Sequence, residues 1–405
     1  MENNLPLSDV KVVDLMWALA GPTSTRVMAD YGATIVRVES TRHFDGARTV
    51  GPFVKGQAGG ENSGLFHNMN AGKRMITLDL ATEAGRGVFL DLVRWADVVA
   101  ESFSPKVMHS LKLDYDSLCK VKPDLIMLST CLMGQSGPMS RFAGFGNMAA
   151  ALSGFYRLTG WPDRPPAGPF SAYTDYVAPR FNAASVLAAL EYRRRTGQGQ
   201  YIDVSQAEAA LHFLGPALLD YTVNGVVQER IGNRDLNFAP CSVYPARGTD
   251  RWIVLTVETE AQWEALCLVM ERADLQKDAR FATVAERLTH QDELDAAVGT
   301  WTAQHEASQL EAALQARGVP AHVVSTMSEM AADVQLLHRR HFIELEHPTL
   351  GKTVVEGSRS RLSQTPAQVR YSTPTLGRDN QYVLTTILEY SEEKVSEVTA
   401  GGALG

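Results

Sequence analysis

The strongest constraint on this chain's fold is an alternation in its first half, where short strand-like apolar runs take turns with longer helical patterns. "VKVVDLM" (10–16) reads as a strand, and "PTSTRVMADYG" (22–32) as a helix that stops at Gly32. "ATIVRVE" (33–39) is a second strand. "RMITLDL" (74–80) alternates as a strand does, and "TEAGRGVFLDLVRWA" (82–96) has helical periodicity. "DVVAESF" (97–103) and "DLIMLST" (124–130) are two more strands. This order predicts an α/β fold with a Rossmann-like, mostly parallel sheet covered by helices.

Such sheets often hold dinucleotides, but the stretch after the first strand, "ALAGPTSTRVMADYG", lacks the G-x-G-x-x-G spacing that admits a pyrophosphate. No G-x-x-x-x-G-K-[ST] occurs either, so a standard NAD or ATP site is rejected.

The chain continues with a long apolar helix over 178–195, a strand "YIDVS" and a helix "QAEAALHFLGPALLDYTVNG". After Gly232 the texture changes. "CSVYPARGTDRWIVLTVE" predicts a hairpin turning near Gly248–Asp250, and shorter, more charged helices follow. The expected division is a large Rossmann-like domain over 1–227, a smaller α+β domain over 228–328, and a return segment over 329–405 that completes the large domain. The last residues, "TAGGALG", are expected to fray.

Composition narrows the function classes. With 405 residues, 45% of them hydrophobic, the chain is long enough for two domains. A net charge of −8 announces no basic face, which argues against nucleic acid. The N-terminus "MENNLPLSDVKVV" has no cationic start before an apolar run, and no apolar stretch approaches the roughly 20 residues that span a bilayer. The expected setting is the cytoplasm, away from membranes. The four cysteines, Cys119, Cys131, Cys241 and Cys267, are too widely spaced for a metal site and are expected to be reduced, mostly buried thiols. No H-E-x-x-H and no clustered Cys/His site appears, so no metal site is expected, and no G-x-S-x-G marks a serine nucleophile. His338 and His341, in "LLHRRHF", read as a solvated helix face.

One carboxylate stands out. In "GPFSAYTDYVAP" (168–179) Asp175 is the only charged residue, just before the long helix. Poor hydration would disfavour its charged form and sharpen it as a nucleophile. The same position also suits a helix N-cap, and the two roles are compatible.

At this point the chain resembles the class III CoA-transferases, the CaiB/BaiF type that includes formyl-CoA, crotonobetainyl-CoA and benzylsuccinyl-CoA transferases. The carrying stretches are "VVDLMWALAGPTSTRVMADYGATIVRVE", "NAGKRMITLDL", "ADVVAESFSP", "GQSGP", "YTDYVAPRFNAASVLAALEYRRRTGQGQYIDVSQAEAAL", "RIGNRDLNFAPCSVYPARGTDRWIVLTV" and "PTLGRDN". Each is weak alone, but their order and spacing are specific. The resemblance implies that Asp175 is the nucleophile, passing through an aspartyl anhydride and an aspartyl-CoA thioester. It implies CoA as substrate with no prosthetic group. It implies a CoA groove at Ala18, Leu19, Leu78, Ser102, Phe103, Ser104 and Phe145, although Leu78 and Phe103 suit ordinary core packing equally well. It also implies an interlocked homodimer, or a heterodimer with a paralogous subunit.

Departures from the family pattern carry information. A basic residue often following "VRVE" is here Ser40, the usual "E-N-F-R-P-G" reads "E-S-F-S-P-K", and Ser110 replaces an arginine. CoA phosphates would then meet Arg42, Arg74 or Lys106. Phe145 and Gly146 stand where a racemase branch carries a His–Asp pair; neither moves a proton at neutral pH, which disfavours racemization. The glycine-rich loop of formyl-CoA transferases is missing. By analogy the donor is succinyl-CoA and the acceptor a carboxylic acid, such as a substituted succinate like benzylsuccinate. A catalytically silent subunit of a heteromeric transferase is the alternative, and the presence of Asp175 speaks against it.

Overall fold

In the computed structural model, which describes residues 5–405, six strands form one parallel sheet. In chain order the elements that build it are β1 (Lys11–Leu15), α1 (Ala20–Asp30), β2 (Thr34–Glu39), β3 (Arg74–Thr77), α2 (Glu83–Trp95), β4 (Val98–Glu101) and β5 (Ile126–Cys131). They are followed by α3 (Gly146–Leu152), α4 (Tyr173–Thr196), β6 (Gln200–Ser205), α5 (Gln206–Leu211) and α6 (Gly215–Asn224). The strand order is β3-β2-β1-β4-β5-β6, the doubly wound arrangement.

The inner strands are apolar on both faces because both faces are covered. Val12, Ile35, Val98 and Ile126 pack with Met28 and Ala29 of α1 and Val186 and Ala189 of α4. Val13, Val36, Ile76, Val99 and Met127 pack with Val88, Phe89, Leu92 and Val93 of α2. Each such side chain, fully buried, contributes about 1.5–3 kcal/mol.

Two compact units result: Met1–Phe155 with Gly168–Val226 and Val334–Gly405, and Tyr156–Ala167 with Val227–Asp333. In the second, β7 (Cys241–Pro245) and β8 (Trp252–Thr256) form the expected antiparallel hairpin, joined by β9 (Ala321–Val323). Its core gathers Tyr244, Ile253, Leu255, Trp263, Leu266 and Leu294.

Four expectations need correction. The single helix read after Ser205 breaks into α5, a 3-10 turn at His212–Leu214, and α6, because Pro216 cannot donate to a preceding carbonyl and restarts the helix instead. The C-terminus is packed, not frayed. A helix at Glu392–Ala400 precedes Ala403, which is fully buried, and Gly405 O accepts from the Thr41 N–H at 3.1 Å. His338 ends a short helix, while His341 lies beyond it and pairs with Glu356 at 3.3 Å, so the two do not share a helix face. The cysteines are all free, but only Cys267 is fully buried. Among the described residues no helix is long and apolar enough to cross a membrane.

Candidate active site

In an open α/β sheet the ligand crevice lies outside the carboxyl ends of the strands, where the strand order reverses. Here that point falls between β1 and β4. A cavity of ≈ 220 Å³ opens there, walled by the segments that follow β1, β4, β5 and β6, and Asp175 lines it.

Buried ionic chemistry holds the β1 segment in place. Arg37 of β2 is fully buried; it donates to the Met16 carbonyl at 2.6 Å and pairs with Asp45 at 2.6 Å. The other Asp45 oxygen accepts the N–H groups of Ala18 and Ala47, each at 2.9 Å. Ala18 is thereby held at φ +62°, a left-handed conformation that costs a non-glycine residue energy. Glu39 completes the network with Arg37 and Arg48. Fully buried charges are costly unless paired in this way.

The β4 segment is stitched to the β1 segment. The Trp17 N–H donates to Ser102 Oγ at 2.8 Å, and the Trp17 and Phe103 rings meet edge to face at 5.7 Å. Glu101, buried at the end of β4, accepts the Phe103 N–H at 2.7 Å, and burial pushes its carboxyl up to about 7.

Asp175 sits in the first turn of α4, and the residue at the cap position is Ala172. The helix-cap reading therefore falls: Asp175 is the third helical residue. Pro179, one turn on, has no N–H for the Asp175 carbonyl. The carboxylate is 8% exposed, and among the described residues no cation pairs with it. Burial pushes its pKa up to about 6, opposed only by the nearby Gly146 N–H at the start of α3. That approach requires glycine, since a Cβ at Gly146 would stand 2.8 Å from Asp175 Cγ and 2.8 Å from the Ala172 carbonyl oxygen. The result is a carboxylate close to half ionised near pH 6, in a mostly apolar wall.

Of the residues named from the sequence, the structure brings Ala18, Leu19, Ser102, Ser104 and Phe145 to the cavity with Asp175. Leu78 is elsewhere: it is 1% exposed, inside the core beneath α2. Its side chain is packing. Phe103 stands behind Trp17 and braces it. Lys106, held at φ +81°, lines a neighbouring cavity with Glu101, Ser129 and Tyr201. Of the other phosphate candidates, Arg42 pairs with Asp79, and Arg74 pairs with Asp379 between the rings of Tyr371 and Tyr382.

The structure adds wall residues that sequence reasoning missed: Trp17, Cys131, Arg141 and Gln206. Three of these lie just past the end of a strand or at its last residue, the signal that could have found them. Cys131 is not poised as a nucleophile: burial pushes its thiol up to about 11, so it stays protonated at neutral pH. Among the described residues, no cluster could hold a metal ion.

The chain is similar to known proteins over nearly its whole length. The succinyl-CoA–D-citramalate CoA-transferase of Chloroflexus aurantiacus is 34% identical, over 98% of this chain and 97% of that protein. The succinate–glutarate CoA-transferase of Agrobacterium fabrum is 33% identical, over 94% of this chain and 95% of that one. The crystal structure of a CaiB/BaiF family protein from Brucella suis superposes with a TM-score of 0.87 at 31% identity, covering 95% of this chain and 100% of that one. The model of CoA-transferase family III matches residues 7–380, so the chain is an enzyme of CoA-transferase family III.

Proposed function

We propose that this enzyme moves CoA from succinyl-CoA to a small dicarboxylic acid, with Asp175 as covalent nucleophile. The relatives that use succinate, citramalate and glutarate support diacids of that size. They shift the acceptor away from the aromatic-substituted succinate that the resemblance alone suggested. The observation that carries the nucleophile is a buried, cation-free carboxylate on the wall of the switch-point cavity.

The Asp175 carboxylate attacks the thioester carbonyl and expels CoA thiolate, forming an acyl–aspartyl anhydride. The thiolate attacks the aspartyl carbonyl, giving an aspartyl-CoA thioester and releasing the donor acid. The acceptor carboxylate attacks that thioester and regenerates an anhydride plus thiolate. The thiolate then takes the acceptor's acyl carbon and frees Asp175. The Gly146 N–H, close to the carboxylate, steadies charge on the aspartyl oxygens as each intermediate forms and breaks. Trp17, Leu19 and Phe145 line the wall and limit water, which would hydrolyse the anhydride.

Asp175→Asn keeps the shape but removes the charge, and should lower turnover by at least about a thousandfold while CoA still binds. Wild type incubated with succinyl-CoA and then hydroxylamine should carry its modification on Asp175. Substantial turnover by the Asn variant, or labelling at another residue, rules the assignment out.

We further propose that two chains interlock as a dimer. On α6 the side chains of Leu218, Leu219, Tyr221 and Val223 are exposed, an apolar face suited to a second copy. Light scattering should give twice the chain mass at micromolar concentration; a stable folded monomer removes the proposal.

A further inference from the structure

The cavity at Asp175 has one anion and one cation on its wall. The anion is Asp175 and the cation is Arg141, in the loop between β5 and α3. The other lining side chains are apolar, such as Trp17, Leu132 and Phe142, or neutral and polar, such as Ser140 and Gln206. Among the described residues Arg141 makes no hydrogen bond or ion pair. Nor does it neutralise Asp175, whose burial is opposed only by the Gly146 N–H. The two charges therefore face the cavity separately.

The wall also carries a buried neutral polar group. Gln206 is 8% exposed, and its buried side-chain oxygen has no hydrogen-bond partner. That amide oxygen only accepts, so it takes no part in holding a carboxylate, and the charged donation from this wall falls to Arg141.

We propose that Arg141 holds the far carboxylate of a dicarboxylic substrate while the near acyl carbon reacts at Asp175. The proposal rests on the transfer reaction argued above. The planar guanidinium fork matches a carboxylate through two parallel hydrogen bonds, and the apolar wall accepts the methylenes between the two ends. The size of the cavity, ≈ 220 Å³, suits a short acyl group and not the nucleotide end of CoA, which sets this role apart from a phosphate contact. Donor and acceptor react at the same aspartate in turn. One arginine thus reads both, and the enzyme exchanges one diacid for another.

The test compares glutarate with valerate, which has the same chain length and one carboxylate fewer. Affinities are measured by calorimetry in the presence of CoA, and turnover with succinyl-CoA as donor. In wild type, glutarate should bind far better than valerate. Arg141→Gln should weaken glutarate about tenfold to hundredfold, the worth of a charged hydrogen-bonded contact, so that the preference collapses. Arg141→Lys should restore part of it. Equal weakening of both acids overturns the proposal, as does an unchanged preference. A loss that instead follows CoA affinity, whatever the acid, shows a phosphate contact and overturns it too. Glutarate bound through Arg141 without any transfer would uphold the carboxylate site and reject the reaction it was placed in.

Discussion

Asp45 and Asp175 are both buried aspartates serving one cavity, and their surroundings are opposite. Asp45 is fully buried, faces Arg37 at 2.6 Å and accepts two backbone N–H groups. Asp175 has a single backbone N–H and no cation. Burial with a partner makes Asp45 a fixed support for the Ala18 loop. Burial without one leaves Asp175 destabilised as an anion, and that is the condition for a reactive carboxylate. On the proposed mechanism, environment separates two carboxylates of the same type into scaffold and reagent.

The comparison predicts that the same substitution has opposite effects on stability. Asp45→Asn breaks a buried ion pair and leaves Arg37 with Glu39 alone, which should cost about 3 kcal/mol in denaturant unfolding. Asp175→Asn should stabilise at pH 8, by about 2–3 kcal/mol for a shift of roughly two pKa units. The sign follows from the raised pKa. Folded Asp175 holds its proton up to about pH 6, whereas an unfolded aspartate loses it near 4, so stability falls as pH rises through that window. Below about pH 4 the Asp175→Asn gain should vanish. Destabilisation by both variants, or a gain that does not depend on pH, breaks the contrast.

Much of this was legible in the sequence, for identifiable reasons. The central strands of a covered parallel sheet read as apolar runs, so β1, β2, β4 and β5 stand out. The isolation of Asp175 also showed, because 168–179 holds no Lys or Arg; Arg180, just beyond, turns to the Tyr176 carbonyl, and among the described residues the fold pairs no cation with Asp175. Leu78 and Phe103 were ambiguous because an apolar side chain serves a core or a cavity wall equally well. Only the packing beneath α2 decides for Leu78, and only the Trp17 ring decides for Phe103. The C-terminal "TAGGALG" looks like a tail, since small residues announce no core, yet Ala403 fills space against the sheet layer. The need for Gly146 was invisible: it comes from a contact with Asp175, 29 positions further along the chain by subtraction of their numbers.

That glycine sharpens the comparison with the smallest expected effect. In Gly146→Ala the new Cβ meets Asp175 Cγ at 2.8 Å, the Ala172 carbonyl oxygen at 2.8 Å and Asp175 N at 2.9 Å. Two of these three atoms are backbone, so the start of α3 or α4 must move by some tenths of an ångström. Such a displacement at a reacting group should slow turnover about tenfold, short of the roughly hundredfold attached to a full ångström. The shift also weakens the one interaction that holds the Asp175 pKa down. The acid limb of the kcat/KM profile, expected near pH 6 in wild type, should therefore move to higher pH in the variant. Asp45 is held by other donors and should be untouched, so unfolding at neutral pH should change far less than in Asp45→Asn. A Gly146→Ala enzyme with the wild-type rate and acid limb would mean that the N–H contact neither places nor tunes the nucleophile.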